Sequence, residues 1–126
     1  MAREKKQFPT EKELVILKIL WAKGPSTVRQ VNDLISQEQK TGYTTTLKLM
    51  QIMTEKGLLF RDDAPFKHIY KPAISKEKTE KQIVSDMLDR VFAGSAERLV
   101  MQAISAKQLS SKELQKIREF LDQMED

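Results

Sequence analysis

Three amphipathic segments fill the first part of the chain. Their apolar residues recur three or four positions apart, which is the spacing of one face of an α-helix. The three sets are Leu14, Leu17, Leu20 and Trp21; Val28, Val31, Leu34 and Ile35; and Leu47, Met50 and Met53. This pattern predicts three helices that each turn one face toward a shared core.

Residues that favour helix ends bound these segments. Thr10–Glu13 and Thr27–Gln30 have the spacing of a capping box, in which side chain and backbone hydrogen-bond reciprocally at a helix start. Gly24-Pro25 and Gly57 are typical helix stops. We therefore expect the third helix to begin near Tyr43 or Thr44 and to run to Lys56.

The spacing of apolar residues changes after the third helix. Leu58–Arg61 and His68–Lys71 are short β-prone runs, Asp62–Pro65 has the composition of a turn, and Pro72 closes the second run. Two strands around a turn form a hairpin, or wing. The fold class predicted for residues 1–74 is a mainly α winged helix-turn-helix with three helices and a β-hairpin wing.

Three further helical segments occupy residues 75–126. The first runs from Ser75 to Phe92, the next follows Gly94-Ser95, and the last begins at a capping box, Ser110–Glu113. Each has an apolar stripe that needs cover, either from a second copy of the chain or from the first domain. We expect a helical dimerisation domain with these interface residues: Val84, Met87, Leu88, Val91, Phe92, Leu99, Val100, Ile104, Ile117 and Leu121.

Charge is distributed unevenly between the two predicted domains. Residues 1–74 carry 13 Lys and Arg against 8 Asp and Glu, whereas residues 75–126 carry 9 against 10. A basic first domain suits an anionic partner, although a solvated surface can carry the same surplus.

Composition excludes several classes of function. The chain has no cysteine and one histidine, His68, so disulfides, thiolate chemistry and histidine metal cages are not expected. No nucleophile–base pair or phosphate-binding glycine loop is present, and we expect neither an enzyme nor a cofactor. Because no apolar stretch approaches the roughly 20 residues of a membrane span and the N-terminus is charged, we expect a cytoplasmic protein without membrane insertion.

The third predicted helix carries the most specific chemistry. Thr44, Thr45 and Thr46 place three hydroxyls at its N-terminus, with Lys40 before them and Lys48 after them. Residues at a helix N-terminus can reach base edges in the DNA major groove, and threonine offers both a hydroxyl and a methyl to a base. Capping alone would explain one threonine, but not three.

The chain resembles the BlaI/MecI/CopY-type repressors. The matching segments run in order along nearly the whole chain: Glu13-Leu14, Leu20-Trp21, Gly24-Pro25-Ser26-Thr27-Val28, Tyr43-Thr44-Thr45, Glu55-Lys56-Gly57-Leu58-Leu59, Tyr70-Lys71-Pro72, Asp89-Arg90-Val91-Phe92 and Gly94-Ser95. The resemblance implies a homodimer that represses transcription from a palindromic double-stranded DNA operator, with the third helix in the major groove. It places Tyr43, Thr44, Thr45 and Thr46 against DNA. It also places Lys67 and His68 near the wing. The full set of expected DNA contacts is Thr27, Arg29, Lys40, Tyr43, Thr44, Thr45, Thr46, Lys48, Lys67 and His68.

Two departures from the family pattern bear on regulation. The C-terminal cysteine cluster of CopY-type members is absent, so the sequence does not support copper sensing. Penicillinase-type members are cleaved at an Asn-Phe pair through a membrane sensor-protease system, and Gln102-Ala103 stands at that place here. The alternative function is a protein-interaction module that uses a winged helix without DNA. Such a module would expose apolar residues on its third helix.

Overall fold

The computed structural model describes residues 8–125. Within them the chain forms six helices and one antiparallel hairpin. The elements are α1 (Glu11–Lys23), α2 (Val28–Glu38), α3 (Tyr43–Glu55), β1 (Leu59–Ala64), β2 (Lys67–Pro72), α4 (Lys76–Arg90), α5 (Ala96–Ser105) and α6 (Ser111–Met124). The order of three helices, hairpin and three helices confirms the winged-helix prediction.

Both predicted capping boxes of the first domain are present. The backbone N–H of Glu13 donates to Thr10 Oγ1 over 3.2 Å, and Glu13 Oε1 accepts from the Thr10 N–H over 2.9 Å. Thr27 and Gln30 make the same reciprocal pair at the start of α2, over 3.2 and 2.8 Å. These bonds satisfy N–H groups that would otherwise lack partners at the helix ends.

The core of the winged helix is formed by α1, α2, α3 and the hairpin. Its buried apolar residues come from all of these elements: Ile16, Leu17, Leu20, Val28, Val31, Met50, Met53, Leu58, Leu59 and Tyr70. Trp21 packs against this cluster while only partly buried, and its indole Nε1 donates to the Ile74 carbonyl over 3.0 Å. The bond fastens the segment after the hairpin to α1.

The hairpin is longer than the sequence pattern predicts. Asp62 and Asp63 lie in β1 and not in the turn, which is reduced to Pro65 and Phe66. Asp63 faces His68 across the ladder, and its Oδ1 lies 2.8 Å from His68 Nδ1. This cross-strand pair corrects the predicted turn, because it gives an acidic residue a partner inside the ladder.

The chain divides into two compact units between Ile83 and Val84, within α4. The sequence boundary between residues 74 and 75 stays a prediction, since α4 is continuous across the division. The second unit has the third predicted capping box, with the Glu113 N–H donating to Ser110 Oγ over 3.1 Å. Hydrogen bonds from the Ser110 backbone and side chain hold the pKa of Glu113 below its ordinary value.

Candidate nucleic-acid interface

The wing is attached to the start of α2 by the backbone. The Ser26 N–H donates to the Tyr70 carbonyl over 3.0 Å, and the Tyr70 N–H donates to the Ser26 carbonyl over 2.8 Å. Ser26 and the Tyr70 side chain are both buried. The position of β2 relative to the start of α2 is therefore fixed by two backbone hydrogen bonds between buried residues.

A groove of about 600 Å³ lies between the starts of α2 and α3 and the tip of the wing. Five of the predicted DNA contacts line it: Thr27, Arg29, Tyr43, Lys67 and His68. Residues separated by about 40 positions in the sequence are thus gathered on one surface, which we call the wing groove.

Arg29 and Tyr43 contact each other in the wing groove. The Arg29 guanidinium carbon lies 5.2 Å from the centroid of the Tyr43 ring, within the range of a cation–π interaction. This contact restrains a long cationic side chain that lines the groove. An ordered guanidinium is suited to a phosphate, which it can contact with two donors at once.

The N-terminus of α3 is open to an external partner. Its N-cap is Gly42, which has no side chain to accept from the first-turn N–H groups. Tyr43, Thr44 and Thr45 are all exposed. Uncapped N–H groups and the helix dipole favour an anion such as phosphate at this end.

Thr46 does not share this exposure. Its side chain is 1% exposed, and its hydroxyl lies 2.7 Å from the amide of Asn32 on α2. With Asn32 Nδ2 turned toward α3, the amide also donates to the carbonyls of Thr41 over 3.0 Å and Gly42 over 3.3 Å. The prediction that Thr46 contacts DNA is therefore corrected: this hydroxyl holds α3 against α2 and is not available to a base.

The two remaining predicted lysines lie outside the lining of the wing groove. Lys40 is exposed in the loop before α3, and Lys48 is exposed on α3 one turn after Thr44. Gln51 continues this polar face. The apolar residues exposed on α3 are Tyr43 and Ile52, so the helix does not have the apolar surface that an interaction module would need.

Comparison with known proteins decides the family. The sequence profile described as "Penicillinase repressor" matches residues 9–123. The chain belongs to the penicillinase repressor family. As a winged-helix member of this family, it is a DNA-binding transcription regulator and repressor.

Other comparisons add less. No curated protein matches the sequence of this family member. Among solved structures, one similar chain is a MarR family protein from Bacillus stearothermophilus. The two sequences are 19% identical, and the TM-score is 0.46. The match covers 90% of this chain and 75% of the MarR family protein.

Three residues that shape the candidate interface of this penicillinase repressor family member were not predicted from the sequence. Pro65 and Phe66 form the wing tip, and the Phe66 side chain is fully exposed. Because Asp62 and Asp63 are typical turn residues, the predicted turn began at Asp62, whereas the observed turn is Pro65 and Phe66. Asn32 was not predicted either. The signal for it in the sequence is that a polar residue lies among the apolar residues of α2.

The predicted dimerisation surface is uncovered in the single chain. Neither α5 nor α6 has a buried residue. Leu88, Phe92, Leu99, Ile104 and Ile117 are partly buried. The other predicted interface residues are exposed: Val84, Met87, Val91, Val100 and Leu121. Three apolar residues outside the predicted interface set are also exposed: Met101, Phe120 and Met124.

Within residues 8–125, this family member has neither a membrane-spanning helix nor a cluster of metal ligands. None of their helices combines the length and apolar character needed to cross a membrane. Within the same residues, no three His, Asp or Glu side chains gather as metal ligands would.

Proposed function

We propose that this protein is a repressor that binds a palindromic operator as a homodimer, with the N-terminus of α3 in the major groove. The observation that supports it best is the wing groove, which joins Arg29, Tyr43 and the wing residues beside the uncapped start of α3. DNA also requires the protein to act where the genome is, in the cytoplasm.

Thr44 and Thr45 are the residues that read bases. Both are exposed on the first turn of α3, and each offers a hydroxyl for a hydrogen bond and a methyl for contact with thymine. Tyr43 stands beside them and keeps Arg29 in place. The base contacts supply the sequence preference, because contacts to phosphate carry little sequence information.

Polar and cationic groups near the start of α3 contact the DNA backbone. Lys67 and His68 on the wing and Arg29 at the start of α2 line the wing groove, and Lys48 lies on α3 one turn after Thr44. Each phosphate contact releases counterions, so binding weakens as salt is raised. The exposed Phe66 at the wing tip packs against the adjacent sugar–phosphate wall.

The second unit provides the dimer. A unit of about 40 residues in which α5 and α6 bury no side chain leaves its apolar faces without cover. Exposed apolar patches of this kind mark protein contact surfaces. A second copy of the same unit is the partner that gives two-fold symmetry, which a palindromic operator requires.

We extend the proposal to relief of repression by a membrane sensor-protease partner. Gln102 and Ala103, at the place of the family's cleavage pair, are exposed in the second half of α5. Cleavage there would separate α6 from the rest of the chain and remove part of the apolar dimer surface. Because a helix cannot enter a protease cleft as an extended strand, α5 must unwind first.

Selection from a pool of random DNA duplexes tests the DNA-binding proposal. We expect enrichment of an inverted repeat whose half-sites are separated by about 10 base pairs or a multiple of that spacing. The T44A/T45A double variant, taken through the same selection, should enrich no defined sequence. Failure of the wild-type protein to enrich any sequence, while it remains folded and dimeric, would contradict the proposal.

A further inference from the structure

A second groove lies on the winged helix, between α1, the end of α2 and the first turns of α3. Its volume is about 530 Å³, within the range of pockets that hold small organic molecules. Apolar side chains form much of its lining, among them Val15, Ile19, Leu34 and Leu49. We call it the lysine groove, because three lysines border it.

The border of the lysine groove is cationic. Lys12, Lys18 and Lys23 line it from α1, whereas Glu38 is its one acidic lining residue. Within residues 8–125 none of these lysines forms an ion pair with a carboxylate. An apolar surface beside uncompensated positive charge is complementary to a molecule that has an apolar body and an anionic group.

The lysine groove also contacts the DNA-reading helix. Thr45, Thr46 and Leu49 of α3 form part of its wall. Thr45 is a proposed base contact, and Thr46 holds α3 against Asn32 of α2. A molecule in the groove would therefore pack against the same helical turn that meets the operator.

We propose that the lysine groove binds a small organic anion with an apolar body, and that binding changes the affinity for the operator through α3. The regulatory half of this proposal, which is the effect on operator affinity, rests on the proposed function. The binding site itself does not. A ligand whose affinity depends on the position of α3 must, by reciprocity, alter the affinity of α3 for DNA.

The binding site can be tested without DNA by two probes of the same shape. One is 8-anilinonaphthalene-1-sulfonate, which has an apolar body and a negative charge, and the other is the neutral N-phenyl-1-naphthylamine. Amide NMR shifts of the full chain should change at Val15, Ile19 and Leu49 when either probe is added. Shifts confined to other parts of the chain would overturn the proposed site.

Substitution of the lysines separates charge from apolar contact. The K18Q/K23Q variant should raise the dissociation constant of the sulfonate by about fivefold and leave that of the neutral probe within about twofold, as loss of two exposed charge pairs predicts. The control K76Q/K81Q removes two exposed lysines of α4 and should change neither value. Equal weakening of both probes, or the same loss in the control, would overturn the role of the lysines.

A second variant tests the apolar wall. Val15 is 45% exposed, so V15E should leave the thermal unfolding midpoint close to that of the wild type. The added carboxylate should weaken both probes and the sulfonate most. Unchanged binding of both probes to folded V15E would overturn the site.

Operator titrations test the regulatory half. Saturating sulfonate should change the dissociation constant of the selected operator by at least about fivefold, the lower end of typical allosteric coupling. At a probe concentration near the wild-type dissociation constant, the change should be smaller in K18Q/K23Q than in the wild type. If the protein recognises an operator but the probe does not bind the groove, this inference fails and the repressor proposal stands. If the probe binds the groove but no operator exists, the proposed function fails and the binding site stands. Binding to both without coupling overturns the regulatory half.

Discussion

The Thr46 hydroxyl lies 2.7 Å from the Asn32 amide, and this partly buried contact joins α3, the helix proposed to read DNA, to α2. The same amide lies within hydrogen-bonding distance of the Thr41 and Gly42 carbonyls, immediately before α3 begins. Asn32 therefore fixes both the start of α3 and its first turn. The exposed neighbour Thr45 is left free to contact DNA.

Replacement of Thr46 should reduce stability. T46V keeps the shape of the side chain but removes the hydroxyl, so the partly buried Asn32 amide loses a hydrogen-bond partner at a cost of about 0.5–1.5 kcal/mol. T46S restores the hydroxyl and should recover much of the loss. Urea denaturation measures the difference, with T45A as the exposed control that should unfold near the wild-type midpoint. Wild-type stability of T46V would show that the contact does not hold α3.

An ion pair between a buried carboxylate and a partly exposed lysine should make a second contribution to stability. Glu13 is 2% exposed, and its carboxylate accepts from Lys56 Nζ over 2.8 and 3.1 Å, which joins the start of α1 to the end of α3. K56M leaves that carboxylate without its cation, and we expect a loss of about 1–3 kcal/mol, since Lys56 itself is partly exposed to solvent. The control K81M removes an exposed lysine and should have little effect in the same denaturation experiment. Equal midpoints for both variants would refute this role of the pair.

Substitution of one apolar residue in α6 should dissociate the dimer. Leu121 is 50% exposed in the single chain, and L121E would place a charge in each half of the proposed interface. Sedimentation equilibrium should show a monomer for L121E and a dimer for Q115E, which adds a charge at an exposed polar position of the same helix. A dimeric L121E would move the interface away from this face.

Salt should weaken DNA binding steeply, because the backbone contacts are cationic. If the dimer makes about 6–10 phosphate contacts, affinity should fall by about 10³–10⁵ between about 50 and 200 mM salt. K48Q and K67Q should each lower the salt slope by about one unit per protomer and weaken operator and scrambled duplexes alike. A slope unchanged in both variants would remove these lysines from the contact surface.

Local patterns explain which parts of the fold could be predicted from the sequence. Capping boxes and apolar spacing act within one or two helical turns, so the helix starts at Thr10, Thr27 and Ser110 were predicted correctly. The length of the hairpin depends on a contact across strands, between Asp63 and His68. Turn composition alone could not reveal that contact.

The site was predictable only in part for a similar reason. Consecutive helical residues point about 100° apart, so three adjacent threonines cannot all face the same way. Thr46 lies four residues before Met50 and seven before Met53, which places it on the buried stripe of α3. This signal is in the sequence, and it places Thr46 on the buried face of α3, away from the exposed Thr44 and Thr45. The wing groove could not be predicted, because it depends on the backbone bonds between Ser26 and Tyr70.

The most direct test of sequence reading by α3 is the titration of T45A with the selected operator and a scrambled duplex at two salt concentrations. Loss of the Thr45 hydroxyl and methyl should cost about 1–3 kcal/mol on the operator and much less on the scrambled duplex, because base contacts carry the sequence preference. K48Q is the control that should weaken both duplexes to a similar degree. Equal losses of T45A on the two duplexes would contradict the assignment of α3 as the helix that reads the operator.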